Sequence, residues 1–128
     1  MNDIQRLDLA HRFLREGRYA ASRRLVEPLT QRAPRTKEDL AAYRVRARAD
    51  YGMGHAGDAE QAARAVLSRR PKDAATMRLL VRALIQQGRH REAATWMSRL
   101  DELGTDTWND DSGMPPAPVV RRPRRRAA

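Results

Sequence analysis

The chain has 128 residues and a net charge of +10, arginine supplies 24 of its 26 basic residues, and it contains no cysteine. That length allows one domain and a tail, and the lack of cysteine excludes disulfide frameworks, thiolate metal sites and thiol catalysis. No apolar run approaches the ~18 residues that a membrane span requires, and Met1-Asn2-Asp3-Ile4-Gln5-Arg6 has no basic start followed by an apolar stretch, so the expected compartment is the cytoplasm.

Hydrophobic residues make up 41% of the chain, but 21 of them are alanine and only one is phenylalanine. Alanine is the strongest helix former, and a core with so few large side chains must come from close helix packing. The expected class is therefore all-α. In chain order, Leu7, Leu9, Phe13 and Leu14 mark a helix that stops at Gly17. Leu25, Val26 and Leu29 mark the next, inside which Pro28 is expected to cause a kink by removing a backbone hydrogen bond. Thr36, with Asp39 three residues on, resembles a capping arrangement ahead of Leu40. Tyr43, Ala47 and Tyr51 carry the third apolar stripe, and Val66 and Leu67 the fourth. The turn between those two helices has two candidate glycines, Gly54 and Gly57. Asp73 is placed to cap a helix bearing Met77, Leu80, Val81, Leu84 and Ile85, which ends near Gly88. Ala93, Trp96, Met97 and Leu100 complete the series before Gly104. The three- and four-residue steps are those of amphipathic helices.

The pattern is also periodic over a longer distance. Gly17 and Pro34 are 17 residues apart, as are Gly54 and Pro71, and Gly88 follows Gly54 by 34. Gly17-Arg18-Tyr19…Pro34, Gly54…Ala59…Pro71 and Gly88-Arg89-His90-Arg91-Glu92-Ala93 resemble tetratricopeptide repeats. A small residue stands five after each glycine (Ser22, Ala59, Ala93) and Tyr43 supplies an aromatic near the start of one first helix, whereas the third unit lacks its closing proline. The resemblance implies an α-solenoid of three helix-turn-helix units with a concave face that holds a peptide or helix. The expected repeat domain is 1–104, with units at about 3–36, 40–73 and 74–107. Residues 105–128 form an expected disordered tail, rich in proline and arginine.

In such repeats the first helix of each unit lines the concave face. The resemblance then places Leu7, His11, Leu14 and Arg15 there from unit one, Arg44, Arg48 and Tyr51 from unit two, and Arg78, Arg82 and Ile85 from unit three. Arg44 and Arg48 share a helix face, and Arg78 and Arg82 repeat the pair 34 residues later. Stacked, the four guanidinium groups form a ladder suited to an acidic peptide, a chain terminus or a phosphate. The competing reading is chance, since arginine fills 24 of 128 positions and most surface arginines are simply solvated. Chaperone-binding members of the family clamp a terminal carboxylate with asparagines, and His11 and Arg48 stand here where asparagines would help.

The tail offers an alternative function. Arg121, Arg122, Arg124, Arg125 and Arg126 could hold nucleic acid or an anionic surface, although without interleaved aromatics for base stacking. Trp108 is placed to dock back over the open end of the stack. Self-association through Trp96, Met97 and Leu100, giving a homodimer, is the other way to cover that end. Catalysis, a cofactor and a metal site are not expected. His11, His55 and His90 have no ligand spacing on a shared helix face, and the turn Gly52-Met53-Gly54-His55-Ala56-Gly57 lacks the lysine and hydroxyl residue of a phosphate loop. The expectation is a non-catalytic interaction module with a protein partner.

Overall fold

Helix boundaries in the computed structural model, which describes residues 1–104, follow from local side-chain chemistry. Asn2 and Gln5 form a reciprocal capping box that starts α1 (Asp3–Arg15), each side chain bonding the other residue's backbone N–H. After α2 (Tyr19–Val26), Thr36 and Asp39 do the same for α3 (Lys37–Gly52). Following α4 (Ala56–Arg69), the Asp73 carboxylate accepts from the Thr76 N–H at the start of α5 (Ala74–Gln86), and α6 (His90–Glu102) comes last. Each cap satisfies donors that the first helical turn leaves without a partner.

The three turns within hairpins share one geometry. Gly17, Gly54 and Gly88 have φ of 76°, 82° and 75°. The N–H one residue later bonds a carbonyl five residues back, as in Arg18 to Phe13 (2.8 Å), His55 to Asp50 (2.8 Å) and Arg89 to Leu84 (2.9 Å). This is the Schellman stop, and its left-handed residue strongly favours glycine. Gly54 therefore makes the middle turn, while Gly57 lies inside α4. Gly52 has a third role: a Cβ there would meet the Tyr19 ring at 2.7 Å, so its bare backbone lets α2 approach α3.

Pro28 ends its helix outright, where a kink was expected. α2 stops at Val26 and a 3₁₀ turn, Glu27–Leu29, carries the proline. The missing N–H and the ring's clash with the preceding turn leave the helix nothing to continue on. Tyr43 then anchors the loop that follows, its hydroxyl donating to the carbonyls of Arg32 (2.6 Å) and Thr30 (3.2 Å).

Each helix packs on its sequence neighbours, giving three hairpins stacked in a row. In addition α1 meets α3 and α3 meets α5, whereas α2, α4 and α6 do not meet one another closely. The layer of α1, α3 and α5 is therefore the more closely packed of the two. Ser22, Ala59 and Ala93 are all fully buried where the paired helices cross, and the Ser22 hydroxyl donates to the Ala10 carbonyl at 2.7 Å.

The interior divides unequally. One cluster joins α3 to α6 around Leu80, Leu84, Val66 and Leu100, while a smaller one of Leu7, Ala10, Val26, Ala42 and Val45 holds the first hairpin to α3. A stack of this kind frays from its weaker end. Hydrogen exchange should therefore be at least about tenfold faster for the amides of α1 and α2 than for those of α4 and α5, a difference of ~1.4 kcal/mol in opening energy. Uniform protection would show a single cooperative core instead.

Candidate functional site

Two elements, the face of α3 and the loop joining α4 to α5, enclose an open cleft of about 620 Å³. Its walls are Arg44, Arg48, Arg70, Pro71, Lys72, Asp73 and Ala75. Four cations thus face one carboxylate. That carboxylate is already engaged, because Arg44 Nε donates to Asp73 Oδ2 at 2.8 Å while Asp73 also caps α5. Burial alone would push the Asp73 pKa up, but the Arg44 hydrogen bond and charge, with the Thr76 bonds, bring it below the ordinary carboxylate range. Asp73 therefore fixes the Arg44 guanidinium in place and stays ionised.

Arg48 is the electrostatic centre. Its pKa is lowered, first by desolvation and then by repulsion from Arg44 and Arg78, with Asp73 opposing. His11 on α1 is drawn into the same field: burial lowers its pKa, as do Arg48 and Arg15, against a smaller pull from Asp8. Cations held this close in a partly buried site repel one another, and an anion bound among them relieves that repulsion.

The residues expected on the concave face thus divide. Arg44 and Arg48 line the cleft, Arg78 lies close enough to Arg48 to depress its pKa, and His11 and Arg15 flank the same field from α1. Arg78 is itself buried, and Arg82 is half-buried and not in the cleft wall. Tyr51, at 3% exposure, belongs to the core with Tyr43 and Ala47 and offers no contact surface. Ile85 is exposed but stands outside the cleft. Arg70 and Lys72 went unrecognised as wall residues. Their signal was the run Arg69-Arg70-Pro71-Lys72, three cations around the proline that turns α4 into α5. Arg121, Arg122, Arg124, Arg125, Arg126 and Trp108 lie outside the described residues.

A second cavity, about 590 Å³, adjoins the first across Pro71 and Lys72. Leu67, Pro71, Met77, Trp96 and Leu103 give it an apolar lining, to which Lys72, Arg99 and Glu102 add three charged groups. The Trp96 ring is covered by the Arg99 guanidinium at 4.3 Å, and Leu100 is fully buried. Of the residues expected to form a dimer surface, Leu100 is therefore unavailable and Met97 is the most open.

Asp50, His55 and Asp58 bring ligand-type atoms within 4.8 Å of one another, a grouping that a search for paired histidines passes over. Asp50 is fully buried, with Arg23 Nε 2.8 Å from one carboxylate oxygen and Arg46 Nε 3.8 Å from the other. A divalent ion would sit against two guanidinium groups, so the cluster reads as a structural charge pairing between α2 and α3. Burial dominates over these cations and raises the Asp50 pKa to about 6 from 3.8. The folded state then holds this proton more tightly than the unfolded state does. Its contribution to stability is complete below pH 3.8 and is lost as pH rises through about 6. Asp50→Asn should flatten that decline, which amounts to about 1 to 3 kcal/mol, in urea unfolding curves measured from pH 4 to 7. An unchanged slope would assign it to other groups.

Geometry and composition together define the class: an all-helical stack of hairpins among the described residues. The family model for the tetratricopeptide repeat matches residues 50–109, so the chain from the end of α3 through α6 is similar to tetratricopeptide repeats. The first hairpin has the same turn geometry but lies outside the match. No curated protein and no solved structure matches the chain. Among the described residues, no helix is long and apolar enough to cross a membrane.

Proposed function

We propose that the protein is a non-catalytic interaction module that captures an acidic segment of a partner protein in the cleft between α3 and the α4–α5 loop. The observation that carries this reading is the wall itself, four cations against one carboxylate that is already paired. Arginine's planar fork suits carboxylates, and Arg48, partly desolvated, gains more from an anion than a solvated arginine does. The repeat fold supplies the second support, since stacked helical repeats present extended concave surfaces to ligands.

Titration of the full chain with a fluorescent hexaglutamate peptide, read by anisotropy, tests the proposal. Saturable binding is expected, weakening several-fold between low and physiological salt, with no binding of a hexaserine control. Hexaglutamate that fails to bind at low salt would remove the acidic-ligand reading.

A further inference from the structure

The two adjoining cavities differ in chemistry and share a wall. One is basic; the other has five apolar residues among the eight that line it and includes Leu103, where α6 has just ended. The chain beyond Gly104 continues Thr105-Asp106-Thr107-Trp108-Asn109-Asp110-Asp111, with three carboxylates, one large aromatic and no cation. The six residue-to-residue steps from Gly104 to Asp110 span up to about 20 Å when extended. The shared wall at Pro71 and Lys72 puts the basic cleft directly beyond the apolar one.

We propose that this segment is the chain's own occupant of both cavities, with Trp108 in the apolar one and Asp110 and Asp111 on the basic one. The order along the chain matches the order of the cavities: the aromatic comes first and the acidic pair follows. The apolar cavity ends in Met77, Leu67, Trp96 and Leu103, a lining that favours an aromatic ring. The charges also complement each other, Asp110 and Asp111 against an excess of three cations in the cleft. A tether this short gives an effective concentration on the order of millimolar, so even weak contacts are occupied. Resting on the acidic-ligand reading above, the consequence is regulatory: a partner's acidic segment must first displace the chain's own.

Acrylamide quenching of Trp108 in the full chain tests the docking, with Trp96→Phe leaving Trp108 as the sole indole. The same quantity is read with Trp96 in place, from the difference between the wild type and Trp108→Phe. Trp108 should be quenched at least threefold less than free N-acetyltryptophanamide, independently of protein concentration. Arg70→Glu with Lys72→Glu should remove that protection. Quenching equal to the free amide overturns the proposal, as does protection that survives the double reversal. Protection that grows with protein concentration would place the segment on a second copy and overturn it in its intramolecular form. A separate arm compares hexaglutamate binding to the wild type and to Asp106→Asn/Asp110→Asn/Asp111→Asn. About tenfold tighter binding is expected, corresponding to roughly 90% occupancy by the chain's own segment. Unchanged affinity would overturn the displacement. Failure of both chains to bind the peptide, with Trp108 protected, would instead sink the acidic-ligand function and leave the docking in place.

Discussion

Leu80→Ala is expected to lower stability by about 3 kcal/mol, at the lower end of what leucine truncation costs in a closed core. Leu80 is fully buried in the middle of α5, the helix that packs against both α4 and α6 and also touches α3. The cavity left by the missing atoms is enclosed by Val66, Leu84 and their neighbours in the larger cluster, which have few ways to close in. For a domain of this size the loss corresponds to a fall in Tm on the order of 15 °C. Leu7→Ala should cost roughly half as much, about 1.5 kcal/mol. Leu7 retains 8% exposure and sits in the small terminal cluster, where the first hairpin can loosen without the rest. Thermal unfolding followed by circular dichroism distinguishes the two variants. Equal losses would mean that the hairpins unfold as one unit and that the division of the core has no energetic meaning.

Arg48→Glu combined with Lys72→Glu should weaken hexaglutamate binding about 100-fold, or ~2.7 kcal/mol. Each reversal removes an attraction and adds a repulsion, and both side chains belong to the cleft wall. These positions are better probes than Arg44 or Arg78. Reversing Arg44 would break its 2.8 Å contact with Asp73 and disturb the cap of α5. Arg78 is only 5% exposed, so a carboxylate there would be buried among the groups that surround it. Unchanged circular dichroism with lost binding would locate the effect in the cleft. Retained affinity would show that the basic wall is not where the peptide binds.

How much of this was readable in advance depends on how local each determinant is. The caps at Thr36 and Asp73 and the turns at Gly17, Gly54 and Gly88 are decided within about five residues, so their chemistry stands in the sequence. Pro28 was visible too, but its outcome was not. With only Leu29 as apolar support beyond Val26, the chain gains little by resuming a helix. The cleft lies at the other extreme. Arg44 and Arg48 could be placed on one face of α3, yet the opposite wall comes from a loop more than 20 residues away. Nothing in the local pattern of Arg70 and Lys72 shows that Asp73 will bring them alongside Arg44. Tyr51 follows the same logic in reverse. It continues the Tyr43 and Ala47 stripe at four-residue steps, and that stripe is core, so its own helix had already decided against the concave surface.

An NMR map of the isotopically labelled full chain under hexaglutamate titration tests most directly whether an acidic ligand binds in this cleft. Shifts are expected to concentrate on Arg44, Arg48 and residues 70–75, with the His11 ring titrating at higher pH in the complex because the bound anion offsets Arg48 and Arg15. Shifts confined to the ion-paired Glu60, Arg64, Arg89 and Glu92 surface, or spread evenly over every exposed arginine, would contradict it.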